Sequence, residues 1–238
     1  AGYFFRRVGG VWEQHQKFQR QSPSAGDMFG TGVAIDGALA AIGGGNVGGG
    51  EARVIRRSSG GVWNVEATYT SGSLSYGSRV AVHEDRVAIA DISDGTFAGA
   101  VHIKRYNGGL WVDDVTLRAS NADDIDTFGA SIDWSGSYLL IGATDEDGSA
   151  TGVGGDQASN GSPRAGAAYV FERDGSSWSQ IAYVKASNTE SDDTFGICAL
   201  TADSMVVGAL GEDSAATGLG GSQTSNGASS SGAVYTFR

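Results

Sequence analysis

The hydrophobic positions of this chain alternate with polar ones over short stretches, which is the pattern of β-strands with one buried face. Three near-continuous apolar runs, at residues 80–82, 87–90 and 205–207, indicate inner strands that are covered on both faces. Turns rich in glycine separate the stretches. No apolar run approaches the length needed to cross a bilayer. The pattern predicts an all-β protein without a membrane span.

One strand pattern recurs five times, at residues 1–7, 50–57, 99–105, 166–173 and 232–238. Four of the copies are followed, after a glycine-rich turn, by a tryptophan that leads to an aromatic-glycine pair. The tryptophans and pairs are Trp12 with Phe29-Gly30, Trp63 with Tyr76-Gly77, Trp111 with Phe128-Gly129, and Trp178 with Phe195-Gly196. A period of roughly 45 to 70 residues made of short strands is typical of propeller blades.

The third module shows the order of strands most clearly. The strand after Trp111 and a polar loop lead to Phe128-Gly129, and a tight hairpin at Ser135-Gly136 joins the next two strands. A long loop, residues 144–165, then returns the chain to the recurring strand. The order predicts four-stranded antiparallel blades, each too small to be stable without its neighbours.

We expect one propeller domain over residues 1–238. Its modules cover approximately residues 1–29, which are a partial module, and residues 30–70, 77–118, 129–185 and 196–238. About four full modules are accompanied by one extra strand, the copy at residues 1–7. The extra strand has two explanations. Either the chain is part of a larger propeller, or a strand edge is shared with a neighbouring molecule, since unpaired edges invite β-addition.

The net charge and the cysteine content limit the classes of partner and the cysteine chemistry that fit this sequence. The formal net charge is −11, and the excess of acidic residues lies after residue 118. Nucleic acid is therefore excluded as a partner, because its phosphates repel such a surface. An acidic surface suits solubility in a salty or extracellular medium. The single cysteine, Cys198, has no internal disulfide partner, and its apolar neighbours indicate a core thiol.

The order of an aromatic-glycine pair, a hairpin ending in Ile/Val-Gly-Ala, a loop and Gly-Ala-x-Tyr-x-Phe resembles the FG-GAP repeat of integrin α-chain propellers and their bacterial relatives. The likeness is carried best by Phe128-Gly129 with residues 141–143 and by Phe195-Gly196 with residues 207–209. Thr144 and Leu210 stand where the family has proline. The resemblance covers nearly the whole chain. It implies an extracellular or cell-surface β-propeller used for adhesion or assembly.

The resemblance also implies calcium, which integrin-like propellers often hold in an Asp-rich hairpin after the aromatic-glycine strand. The corresponding hairpins here are residues 35–38, 83–86, 134–137 and 201–204. None of them offers the oxygen ligands for a cation that takes about six to eight. We therefore do not expect the family's usual metal site at that place.

A long loop that occurs twice carries the other candidate chemistry, because residues 146–161 recur as residues 212–227. Long loops without secondary structure are often functional, and carboxylates are hard oxygen ligands that suit calcium. The candidate metal ligands are Asp145, Glu146, Asp147, Asp156, Glu212 and Asp213. Two alternatives stay open: these side chains form local turn hydrogen bonds, or the loops contact a protein or glycan.

A second set of acidic residues stands two positions before the aromatic residue of three pairs. The set comprises Asp27, Asp126 and Asp193. Aspartate in such a turn accepts hydrogen bonds from nearby backbone N–H groups. We therefore predict that these carboxylates cap the turns.

Catalytic constellations are not visible in the sequence. The three histidines are scattered, no nucleophile motif occurs, and nothing fixes the two carboxylates that a propeller glycosidase requires. We expect a non-catalytic extracellular adhesion or structural module that self-associates through strand edges. The alternative is a propeller that binds a protein or glycan at the cell surface through residues 144–165 and 210–231, with or without calcium. A glycosidase is the least favoured function.

Overall fold

β-Strands make up 50% of the computed structural model and helix only 2%, which confirms the predicted all-β class. The structure describes residues 1–46 and 48–238. In this part of the chain the strands are β1 Gly2–Val8, β2 Val11–Phe18, β3 Gly32–Asp36, β4 Leu39–Asn46, β5 Gly49–Arg57, β6 Trp63–Ser71, β7 Val80–His83, β8 Arg86–Asp91, β9 Ala100–Asn107, β10 Leu110–Leu117, β11 Phe128–Ser135, β12 Tyr138–Ala143, β13 Ala167–Asp174, β14 Ser177–Val184, β15 Phe195–Leu200, β16 Met205–Ala209 and β17 Ala233–Phe237. The single described helix, α1 Asp94–Phe97, is too short to cross a membrane.

The strands follow one another in chain order across each sheet. Three sheets have four strands, in the orders β3-β4-β5-β6, β10-β9-β8-β7 and β11-β12-β13-β14. The described residues also form a three-stranded sheet, β15-β16-β17, and a two-stranded sheet, β1-β2. The predicted four-stranded antiparallel sheets are thus confirmed. The hairpin predicted at Ser135-Gly136 is present, with Ser135 opposite Tyr138.

In the two-stranded sheet, the extra strand β1 pairs as the recurring strand does in a four-stranded sheet. The recurring strand β1 pairs with the tryptophan strand β2, and the register shifts between Phe4 and Phe5. β13 pairs with β14 in the same way, with a shift between Val170 and Phe171. Arg7 lies opposite Trp12, as Arg173 lies opposite Trp178. β1 and β2 therefore correspond to the third and fourth strands of a four-stranded sheet.

The chain divides into two compact units, Ala1–Asp91 with His102–Val115 and Ile92–Val101 with Thr116–Arg238. The first unit has a buried core that includes Leu39, Val54 and Val87. The core of the second unit includes Leu140 and Phe195. The apolar runs at residues 80–82 and 87–90 are buried as predicted, with every residue of β8 in the interior. The prediction is wrong for residues 205–207, because Val206 lies on an uncovered face of β16 and is 39% exposed. The single propeller domain over residues 1–238 stays a prediction.

A glycine opens the recurring strand because the aromatic-glycine pair packs against it. In the second unit, Gly166 has a φ of +78°, and a Cβ there would lie 2.1 Å from the carbonyl oxygen of Phe195. Gly99 has the same relation to Phe128, also at 2.1 Å. No side chain fits at either position, and the left-handed backbone also favours glycine. The two motifs that define the repeat therefore meet in space.

Candidate functional site in the duplicated loops

Each duplicated loop is closed by one aspartate. The Asp147 carbonyl oxygen accepts a hydrogen bond from the Ser162 amide at 2.9 Å, and its carboxylate accepts one from the Arg164 amide at 2.8 Å. In the second loop, the carbonyl oxygen of Asp213 accepts from the Ala228 amide at 2.9 Å, and its carboxylate accepts from the Ser230 amide at 2.6 Å. The repeated sequence thus folds into a repeated closure. The two loops therefore share the hydrogen bonds that close them as well as their length.

Glu146 lies beneath the first loop with only 1% of its surface exposed. One carboxylate oxygen, Oε1, accepts hydrogen bonds from Tyr183 Oη at 2.8 Å and Asn121 Nδ2 at 3.0 Å. Its other oxygen, Oε2, lies 2.8 Å from Lys185 Nζ, which is fully buried. Tyr169 Oη donates to the side-chain oxygen Oδ1 of Asn121 at 2.9 Å. We call Asn121, Glu146, Tyr169, Tyr183 and Lys185 the Glu146 cluster.

Burial and the charge of Glu146 shift the pKa of Lys185 in opposite directions. Burial lowers the pKa of the Lys185 ammonium, whereas the Glu146 carboxylate favours its charged form. Lys185 Nζ also donates a hydrogen bond to Glu146 Oε2. Because both groups are buried, removing either one would leave the other as an uncompensated buried charge. The cluster therefore fixes the first loop to the end of β14.

Glu212 occupies the same place beneath the second loop and is 2% exposed. It accepts hydrogen bonds from Asn188 Nδ2 at 2.9 Å and from the Ser214 amide at 3.0 Å. Tyr235 Oη donates to the side-chain oxygen Oδ1 of Asn188 at 2.5 Å, as Tyr169 does to Asn121. We call Asn188, Glu212, Ser214 and Tyr235 the Glu212 cluster. No ion-pair partner of Glu212 occurs among the described residues, because the lysine and second tyrosine of the Glu146 cluster come from a fourth strand and its end.

A polar cleft of about 570 Å³ lies beside the first loop. Its lining includes Ser120, Asn121, Asp123, Gln157 and Asn160. Asn160 Nδ2 donates to the Asp123 carboxylate at 2.7 Å. The corresponding side chains of the next module also form a pair, Asn226 with Glu190. Amide, hydroxyl and carboxylate groups of this kind can exchange hydrogen bonds with a polar ligand.

The predicted metal ligands accept hydrogen bonds from protein donors. Asp145 accepts from Thr127 Oγ1 at 2.9 Å and from Arg164 Nε at 3.2 Å, and Asp156 accepts from the Ala158 amide at 2.9 Å. Glu146, Asp147, Glu212 and Asp213 are held by the contacts described above. These contacts fit the turn-forming alternative for the loops. Calcium binding by the six residues stays a prediction.

Turn capping by the three aspartates is confirmed. The carboxylates of Asp27, Asp126 and Asp193 accept hydrogen bonds from the amides three residues earlier, at 2.6, 2.8 and 2.8 Å. Burial raises the pKa of Asp126 to about 7 and that of Asp193 to about 6. At Asp27, by contrast, the Ser24 amide lowers the pKa of the carboxyl.

Lys185, Tyr183 and Asn121 were not among the predicted site residues, although the sequence holds a signal for two of them. Arg118-Ala-Ser-Asn121 and Lys185-Ala-Ser-Asn188 are copies of one motif, a cation followed by an asparagine. Both asparagines contact the buried glutamate of their loop. Comparing the modules for this motif would have found the polar part of both clusters.

The segment that contains the first loop and strands β11 and β12 matches a known repeat family. Residues 111–171 match the family model of the FG-GAP repeat. This segment is similar to the FG-GAP repeat. It runs from Trp111 through Phe128-Gly129 to β13 and includes Asn121, Glu146 and Tyr169 of the Glu146 cluster. The resemblance found from the sequence is thus confirmed in the third module. No curated protein matches the chain.

Replacing Glu146 by glutamine should destabilise the protein far more than the same replacement at Glu212. Glu146→Gln leaves the Lys185 ammonium buried without a counter-charge, and we expect a loss of about 3 kcal/mol or more in the free energy of unfolding. Glu212→Gln removes a buried carboxylate that has no cation, and we expect a change within about 1 kcal/mol. Denaturant titration measures both. Equal losses for the two variants would show that the ion pair contributes nothing specific.

Stability should fall as the pH rises from about 4 to about 7. The folded-state pKa of Asp126, about 7, lies above the ordinary value of 3.8, so the folded protein holds this proton more tightly than the unfolded chain. The stabilisation is complete below pH 4 and is lost as the pH approaches 7. Asp126→Asn should flatten the dependence, measured by denaturant titration across this range.

Asp27→Asn is the matched control for the pH series. Because its pKa is lowered, Asp27 stabilises the fold when ionised, and its contribution disappears in acid. The control should therefore leave the slope between about pH 4 and pH 7 in place. An unchanged slope in Asp126→Asn would contradict the assignment of the buried proton to Asp126.

Proposed function

We propose that this protein is a non-catalytic extracellular or cell-surface module, built from integrin-like β-propeller blades, that self-assembles through its open sheet edges. The FG-GAP repeat at residues 111–171 supports the blade type and the class of function. The observation that carries the proposal is the exposed apolar face of the sheet β15-β16-β17, which lies beside the edge of β17. An unpaired edge of this kind is a template for strand addition.

The open sheet also has an uncovered apolar face. Val234 is 71% exposed, Ile197 43% and Val206 39%. A cleft of about 640 Å³ lies over this face. In the complete sheet of the same unit, by contrast, Leu140 is fully buried and Val170 is 8% exposed. A contiguous apolar surface beside an open edge marks a protein interaction site.

The first unit has an open surface of its own at β1. Among the described residues this strand pairs with β2, and its Tyr3 and Phe5 are 50% and 57% exposed. A cleft beside them is lined by Val33 and Ile35, which are also exposed. Two different open surfaces on one chain suit head-to-tail contact with a second copy.

A non-catalytic role is supported by how the buried carboxylates are used. Glu146 and Glu212 anchor loops through hydrogen bonds to protein donors. Burial raises the pKa of Cys198 to about 12, which disfavours a nucleophilic thiolate. The buried side chains of Glu146, Glu212 and Cys198 therefore have structural roles.

The second candidate function is binding of a protein or glycan partner at the cell surface. The polar cleft beside the first loop favours it, since its amide and carboxylate groups suit hydroxyl-rich ligands. Calcium binding by the duplicated loops is part of this second candidate function. The negative charge disfavours nucleic acid under either function.

Light scattering over a range of protein concentrations tests self-assembly. We expect the mass to rise with concentration, and Val234→Lys should shift the rise to higher concentration because it places a charge on the apolar face. Leu219→Lys is the matched control, since this leucine is fully exposed in the second loop. A strict monomer at all concentrations would rule out self-assembly and leave ligand binding as the function.

A further inference from the structure

We propose that the Glu146 cluster forms a covalent crosslink within the chain, an amide bond between Lys185 Nζ and Asn121 Cγ, with release of the Asn121 amide nitrogen as ammonia. Four groups of the cluster supply the chemistry: an amine, a side-chain amide, a carboxylate that contacts both, and a hydroxyl on the amide oxygen. All four belong to the second unit of a single copy, so the crosslink does not depend on the proposed self-assembly.

Lys185 supplies an amine that is shielded from water. Its side chain is fully buried, and its backbone amide donates to the Gly152 carbonyl oxygen at 2.8 Å, which fixes this residue to the first loop. Its Nζ atom donates to Glu146 Oε2 at 2.8 Å. Because both charges are buried, transfer of the ammonium proton to the carboxylate is favoured by leaving two neutral groups. The neutral amine of a desolvated lysine is a nucleophile.

The Asn121 side chain is the amide that this amine attacks. Its Nδ2 atom donates to Glu146 Oε1 at 3.0 Å, and the reacting Cγ atom is bonded directly to Nδ2. Its Oδ1 atom accepts a hydrogen bond from the Tyr169 hydroxyl at 2.9 Å. A donor at this oxygen stabilises the negative charge that develops there during attack. The amine and the amide thus contact the two oxygens of one carboxylate.

Glu146 is held where it can move protons between the two reacting groups. The Gly148 amide donates to Oε2 at 3.0 Å, and the Tyr183 hydroxyl donates to Oε1 at 2.8 Å. These two hydrogen bonds fix the orientation of the carboxylate. A positioned carboxyl group that contacts both the nucleophile and the leaving group can act first as a general base and then as a general acid.

The reaction balances without another reactant. Glu146 takes a proton from the Lys185 ammonium, and the amine attacks Asn121 Cγ to form the Nζ–Cγ bond. Glu146 returns this proton to Nδ2, the Cγ–Nδ2 bond breaks, and ammonia leaves. A second proton passes from Nζ through Glu146 to the ammonia, which becomes ammonium. Asn121 lines the polar cleft of about 570 Å³, through which the ammonium reaches solvent.

The chain contains two comparisons that lack the amine. Residues 118–121 and 185–188 are copies of one motif, but the first copy begins with Arg118, whose guanidinium stays protonated and is not a nucleophile. The Glu212 cluster has the same carboxylate, amide and hydroxyl. There the amide and hydroxyl of Ser214 contact the glutamate oxygen Oε2, which in the first cluster contacts the lysine. The amine is therefore specific to the Glu146 cluster.

The intact mass of the full chain tests the crosslink. Mass spectrometry of the purified, folded protein should give a mass about 17 Da below the value calculated from the sequence, because one ammonia is lost. Trypsin does not cleave after a modified lysine. Digestion should therefore give a product in which residues 119–164 are joined to residues 174–238.

Lys185→Arg keeps the positive charge but removes the nucleophile, so this variant should have its full calculated mass. Asn121→Ala, which removes the amide, should also have its full mass. Lys104→Arg is the matched control, because Lys104 lies in the first unit and pairs with Asp113 there. This control should keep the mass deficit. The mass of the native protein decides the question however the variants fold.

The full calculated mass in the folded native protein would overturn the inference. A deficit that persists in Lys185→Arg would also overturn it, since ring closure at Asn160-Gly161 loses ammonia without a lysine. A loss of about 18 Da would show release of water, which means that a carboxylate and not Asn121 is the acceptor, and would contradict the proposed bond.

Discussion

The buried ion pair between Glu146 and Lys185 connects the parts of this protein that carry its proposed function. Glu146 belongs to a long loop, whereas Lys185 follows the outermost strand of the sheet. Their contact therefore requires that strand to be paired in its correct register. With Asn121 and the two tyrosines, the pair makes loop position and sheet completeness dependent on each other.

The three-stranded sheet β15-β16-β17 has the same arrangement without a fourth strand among the described residues. Its loop is closed by Asp213 and its glutamate is buried, but the charge that completes the cluster is absent from the described sheet. An open edge offers backbone hydrogen bonds to many strands.

Local sequence was sufficient to predict the strands, the hairpins and the turn caps. The Ser135-Gly136 turn sets its hairpin through two adjacent residues, and Asp126 reaches an amide only three residues away. The recurring Gly166 could be assigned to the repeat, although its close approach to Phe195 is visible only in the structure. The ion pair was missed because Glu146 and Lys185 are brought together by strand pairing across 39 residues. Composition gives no signal for such a contact.

Hydrogen exchange of the β17 amides tests self-assembly through this strand, since exchange reports pairing residue by residue. If the protein self-assembles there, amides of Ala233–Phe237 that point away from β16 exchange rapidly in dilute protein and become protected as the concentration rises. Amides of β13, which is paired on both sides, should be protected throughout. Protection of β17 equal to that of β13 at every concentration would contradict an edge that is completed by a second copy.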